Sequence, residues 1–455
     1  MVSLSSHDKS FLTSLDWDGS LICPAAPCQD LDEIGMNYFV ANYVMKDSGP
    51  CPGVHNYIDS ILEDSTGDPE LVRAAIRAVS FAGLGSSTGS ASTMRNARMN
   101  YINAIKRVNV ALTDSRAKND STIFTVMVLG LFESITCSCD QSLEAWKHHV
   151  NGIAGLLMHR GATQFHTKVG LQLFQEAFIH VITLCWHRDL PIPPRLRLLR
   201  SNMGYNLDGK DPSSLQGTVH MEGIGLHNKV RPAEKVPFLD GTWEDLLSHA
   251  VKLDQILATI YADLPESWSF ETVNDTTTDP SIVFQGKYHI YYNVWIARMW
   301  DGMRSCRLLL NEVIHCLLLR EGFTWAPYEF SKDFFTKAQR ASDVMITMRD
   351  DILASVPQML GYVQRDTVTG LSYIRSNMGT SFVPASGAYF VVWHLYVAGK
   401  HPMNTTETRE WIVNRLHAIR SMTGIQKATY LSDLVEKDAV RVNSTIPSLM
   451  FTTNS

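Results

Sequence analysis

Apolar residues recur at helical spacing through most of this chain, while strand-like alternation is weak throughout. That pattern restricts the fold to helices packing on helices. Leu71, Ala74, Ala75, Ala78 and Val79 form one such stripe. It is preceded by Asp68-Pro69-Glu70, an N-cap acid followed by proline at the first helical position. A second helix is predicted from near Ser92, carrying Ala97, Tyr101, Ala104, Ile105 and Val108. Asp120-Ser121-Thr122 caps the run IFTVMVLGLFESITC, so apolar that it belongs at the centre of the body. Further helices are predicted at Leu143–His159, closed by Gly161, and at Leu171–His187, stopped by the PIPP run at 191–194. Others follow at Thr242–Leu264, Val283–Glu321, Ser331–Val356, Ala388–Gly399 and Thr405–Gly424.

Three stretches break the pattern. Residues 1–35 read as a loose arm, and Gly83–Gly89 reads as a Gly/Ser loop between two helices. Residues at about 201–240 read as a long loop or lid, a kind of segment that is often functional in a compact body. The expectation is an all-α protein with one continuous helical body over 36–455.

Composition narrows the functional classes. The chain is 45% hydrophobic and 19% charged, ordinary for a globular protein. A net charge of −6 gives no sign of a nucleic-acid-binding face. The eight cysteines are scattered, which reads as a reducing, cytoplasmic setting rather than a disulfide framework. No secretory signal, membrane-spanning run or basic nuclear-targeting cluster is expected. The composition leaves a homodimer open.

Several segments in the same order carry a family likeness: LFESI, EAWKHHVNGIAGLLMHRGATQF, WDGMRSCRLLL, DDILASVPQMLGY, ASGAYFVVWHLYVAG and WIVNRLHAIRSMTGIQKA. Together they resemble the helical regulatory region of fungal zinc-cluster transcription factors. The DNA-reading module of that family needs six cysteines in tight spacing among basic residues. Here Cys23, Cys28 and Cys51 lack the spacing and lie in an acidic stretch, so no DNA-binding residues are expected. Two positions also depart from the pattern, Asp301 where asparagine is favoured and His394 where proline is.

A small group of non-canonical fungal sesquiterpene cyclases, the humulene synthases of tropolone-sesquiterpenoid pathways, is similar to such chains. That resemblance implies farnesyl diphosphate as substrate, magnesium as cofactor and a diphosphate-contacting lysine at the start of a long helix. In VFQGKYHIYYNVW that lysine is Lys287, and Val283 takes a pocket-gating position. The chemistry requires cations on the leaving group and aromatic faces for the carbocation. If the stretch is helical, Lys287, Tyr291, Val294 and Arg298 share one face. Val283, Tyr288, Tyr291, Trp295 and Met299 are the candidate pocket. The alternative for any one of them is plain core packing, because buried helices are rich in aromatics and methionine.

Candidate magnesium ligands are Glu133, Glu176, Asp301, Asp350 and Asp351. Glu133, inside the most apolar helix, reads equally as one half of a buried ion pair with Arg160. Asp350-Asp351 reads first as a helix-surface pair and only second as a metal-binding pair. Asp301 lies about 21 Å beyond Lys287 along a straight helix, too far for both to touch one diphosphate. The His148-His149 pair, the His180/His187 pair and Cys137-x-Cys139 lack a further ligand at useful spacing. A sesquiterpene cyclase is therefore the first expectation. A regulator without a DNA-binding module, acting through protein contacts or small-molecule sensing, is the second.

Overall fold

The computed structural model describes residues 30–46, 48–136, 138–203, 212–230, 242–324, 332–365, 372–375 and 384–445. The arm expected at 1–35 lies outside them up to residue 29, and a helix already begins at Leu31.

The first helices are α1 (Leu31–Tyr43), α2 (Ile58–Glu63), α3 (Pro69–Thr88), α4 (Ala91–Ala111) and α5 (Asp120–Thr136). The Asp68 side chain accepts a hydrogen bond from the Leu71 amide at 3.1 Å, the cap its position predicts. The Gly83–Gly89 stretch is helical almost to its end. Only Gly89 leaves the helix, with φ of 69°. Helix α5 is buried along nearly its whole length, as its composition requires.

Next come α6 (Asp140–Arg160), α7 (Lys168–Arg188), α8 (Pro194–Met203), α9 (Pro212–Val230) and α10 (Thr242–Ala262). The long loop expected at about 201–240 therefore contains α9, whose Val219, Ile224, Leu226 and Val230 are buried. Helix α7 is long and apolar enough to cross a membrane, but 61% of its apolar window is buried inside the fold.

A β-hairpin follows, with β1 (Phe270–Asn274) antiparallel to β2 (Lys287–Tyr291) and Phe270 opposite Tyr291. Then α11 (Val294–Thr324) and α12 (Lys332–Met359) run against each other, with a two-stranded ribbon of β3 (Val363–Arg365) and β4 (Ser372–Ile374) beyond them. The chain closes with α13 (Ala385–Gly399), α14 (Thr406–Thr423) and α15 (Lys427–Thr445). The protein is all-α, with fifteen helices and two small ribbons among the described residues.

The expected helix from Val283 is thus corrected: it starts at Val294. Gln285 and Gly286 both take left-handed backbone, with φ of 51° and 69°, and stop any helix there. The following KYHIY forms the strand β2. Asn293 then caps α11, its Oδ1 accepting from the Ile296 amide at 2.9 Å.

One apolar cluster unites α1–α8 with α12–α15 and the start of α11. A second joins α9, α10, α11 and α12, and a small satellite surrounds Val283. Gly387 lets α13 meet the end of α12, since a Cβ there would lie 2.2 Å from the Met359 carbonyl oxygen.

Candidate functional site

Five helices line a central cavity of ≈160 Å³, α8 through Arg200. Helix α7 contributes Glu176, Phe178 and Trp186, and α9 contributes Gln216, Gly217 and His220. Helix α11 presents Trp295, Arg298, Met299 and Gly302, while α13 presents Trp393 and His394. The α11 residues lie at helical spacing on one face. Gly302 allows α9 to approach, because a Cβ there would sit 2.4 Å from Nε2 of Gln216. Gln216 in turn accepts a hydrogen bond from the Tyr261 hydroxyl.

The charges of this cavity do not cancel. Arg200 and Arg298 line it, and Glu176 is its one carboxylate among the described residues. Glu176 is already engaged. It accepts from the Tyr57 hydroxyl at 2.6 Å and from the His55 amide at 3.2 Å, with His55 Nδ1 at 2.9 Å. Burial opposes its ionisation, but His55 and Tyr57 hold its carboxyl below the usual range. Arg200 donates to the Ser214 carbonyl at 2.7 Å. Arg298 has no carboxylate within 4.0 Å among the described residues, and its guanidinium lies over the Phe390 ring at 4.2 Å. Burial pulls its pKa down against a smaller opposing pull from the Glu176 carboxylate. His394, hydrogen-bonded to Ser305 at 2.8 Å, is kept neutral by burial, its pKa lowered to about 3.

On a neighbouring face of α11 lies a buried charge cluster. Asp301 and Arg304 pair at 2.9 Å and are almost wholly shielded from solvent. Asp301 also accepts from Ser355 at 2.6 Å, and Arg304 donates to the Tyr291 hydroxyl at 2.5 Å. Arg304 sits among the rings of Phe270, Tyr291 and Trp300. Lys287 donates to Asp351 at 2.7 Å, and His289 Nε2 lies 3.3 Å from the same oxygen. Burial raises Asp301 to about 6 against the pull of Arg304 and Ser355. Asp351, although burial opposes its ionisation, is held well below the usual carboxylate range by His289, Arg304 and Lys287.

The structure therefore divides the predicted residues. Trp295, Met299 and Glu176 line the central cavity. Lys287, Tyr291, Asp301 and Asp351 meet in the charge cluster. The hairpin, not a helix, carries Lys287 back toward Asp301. Val283 and Tyr288 are buried together in the satellite cluster with Ile282, so the shared cavity expected for Lys287 and Val283 is not among the three cavities described. Glu133 pairs with Tyr101 at 2.5 Å and faces His149, while Arg160 pairs with Asp120 instead. Asp350 is held by Arg349 at 2.8 Å.

The five carboxylates do not converge as a magnesium site. No group of three His, Cys, Asp or Glu positioned for a metal occurs among the described residues. Asp301 and Asp351 spend their oxygens on Arg304, Ser355, Lys287 and His289.

Trp186, Arg200, Gln216 and Trp393 carry no site signal in the sequence, whereas Arg298 is on the face expected to hold Lys287. Each lies on a different helix or turn of the chain, so local spacing carries no signal that they meet. His394 was marked as departing from the family pattern, and it stands in this cavity.

No family model, no curated protein and no solved structure matches the chain.

Proposed function

We propose that the chain is a sesquiterpene cyclase that takes an isoprenoid diphosphate into the central cavity. The observation that carries this is Arg298, a half-buried guanidinium with no carboxylate within 4.0 Å among the described residues, in a cavity walled by Trp186, Trp295, Trp393 and Phe178. A cation partly withdrawn from water favours an anion beside it, and tryptophan faces favour a nearby carbocation. Arg298 and Arg200 stabilise the negative charge that develops on the leaving diphosphate, and the ring faces shelter the cation that remains. Pocket volumes of about 300 Å³ or more are usual for small-molecule sites. At ≈160 Å³ the cavity admits a fifteen-carbon chain only if its walls move apart.

A second reading has its own support. With no metal-ligand group among the described residues and Lys287 already paired to Asp351, the same cavity would bind an apolar anion without turning it over. That is the behaviour of a small-molecule-sensing regulator. Calorimetric titration of farnesyl diphosphate into the parent and Arg298→Leu proteins tests what both readings share. Binding that weakens at least tenfold in the variant supports the cavity as the anion site, and equal binding refutes it.

A further inference from the structure

Helix α4 packs on α3 and α5 and buries Ala97, Ala104, Val108 and Ala111. Its opposite face carries Arg95, Arg98, Met99, Ile102, Lys106 and Val110, all exposed. At 100° per residue these six fall within an arc of about 120°. Met99, Ile102 and Val110 are each more than half exposed, and apolar side chains aligned on one open face mark an interaction surface. We propose that this face of α4 docks an acidic amphipathic helix of a partner protein. The surface lies apart from the central cavity, none of whose lining residues is on α4, so the proposal stands without the cyclase reading.

The spacing selects a helix. Arg95, Met99, Ile102, Lys106 and Asn109 follow one another at intervals of four, three, four and three residues, the alternation of a seam between two packed helices. The charge selects an acidic one. Helix α4 carries Arg95, Arg98, Lys106 and Arg107 and has no Asp or Glu. Arg107 is paired with Asp68 at 3.2 Å, but Arg95, Arg98 and Lys106 have no carboxylate within 4.0 Å among the described residues. A helix with apolar residues opposite Met99 and Ile102 and carboxylates opposite these three cations matches the face in both spacing and charge. An anionic membrane fits it less well. Lys106 lies between Ile102 and Val110 in the middle of the face, so seating both apolar side chains in lipid would draw its charge in with them.

The probe is a fluorescent synthetic peptide of 21 residues, the length of α4, with leucine at the seam spacing and glutamate on the flanking positions. One control peptide has lysine for glutamate, and another has alanine for leucine. Fluorescence anisotropy with the full chain should show the glutamate–leucine peptide binding at least tenfold more tightly than either control. Ile102→Glu and Lys106→Glu should each weaken it at least tenfold. Leu198→Glu, which places the same charge at an exposed leucine on α8, should leave it unchanged. All three positions are exposed, and equal melting temperatures check that the variants fold. No binding, equal binding of a control peptide, or an equal loss in Leu198→Glu would overturn the proposal. Phosphatidylserine vesicles that sediment with the parent but not with Ile102→Glu would overturn it in favour of a membrane. A parent dimer that Ile102→Glu splits would overturn it in favour of a second copy of the chain.

Discussion

Lys287 on the hairpin reaches Asp351 on α12 at 2.7 Å, and His289 from the same strand approaches the same carboxylate oxygen. One acidic side chain therefore pins β2 to the central helix pair. Lys287 is 37% exposed, so its share of the pairing is screened. Lys287→Met should cost less than about 1 kcal/mol. Asp351→Asn should cost about 1–3 kcal/mol, because it leaves the buried His289 poorly matched. The folded Asp351 carboxyl lies below its ordinary value, so its contribution is present above about pH 4 and is lost as the pH falls further. Urea titrations at pH 7 and pH 3 check both statements. Turnover of Lys287→Met separates two anchors for the diphosphate. A tenfold loss at unchanged melting temperature assigns Lys287 the contact its family resemblance implies, and full activity leaves the anion to Arg298.

Asp301 behaves in the opposite direction. Its folded pKa is raised to about 6, above an unfolded value of about 3.9. The extra stability is present below about pH 4 and is lost as the pH rises through about 6. The margin of the parent over Asp301→Asn should therefore shrink by roughly 2 kcal/mol between pH 4 and pH 7. Denaturant midpoints across that range measure it, and a constant margin would contradict the assignment.

The Asp301–Arg304 pair should also show strong coupling. Arg304→Met alone strands a buried carboxyl and should cost about 3–5 kcal/mol. The double change with Asp301→Asn should recover most of that loss, because a buried ion pair is often replaceable as a unit. Additive losses in a double-mutant cycle would show that the two side chains act independently.

Val283 and Met299 should part company. Val283 is fully buried in the satellite cluster, so Val283→Phe should destabilise by about 1–3 kcal/mol through overpacking and leave any product ratio unchanged. Met299 lines the central cavity, so the near-isosteric Met299→Leu should alter the product ratio at a stability cost under about 1.5 kcal/mol. Product analysis beside thermal melts distinguishes the two.

The helices were legible because their signals are local. Asp68-Pro69 announced α3, and the composition of α5 announced its burial. The hairpin was misread because the aromatics of KYHIYYNVW fit a helical face as well as a strand. The deciding signals were Gly286, which breaks the helix, and Asn293, which caps the next one. Glu133 was correctly expected to need a buried partner, but the partner proved to be Tyr101 from α4, not Arg160. Its choice depends on how α4 packs against α5, which spacing along the chain does not encode. The same limit hid the cavity, whose walls come from five helices.

The central claim is that Arg298 and the tryptophan-lined cavity convert an isoprenoid diphosphate into a hydrocarbon. Incubating the purified chain with farnesyl diphosphate and magnesium, with parallel EDTA-treated samples, and analysing the headspace by mass spectrometry tests it most directly. The account predicts a fifteen-carbon hydrocarbon from the parent and a loss of at least tenfold in a folded Arg298→Leu variant. Absence of both hydrocarbon and released diphosphate from well-folded parent protein would contradict it.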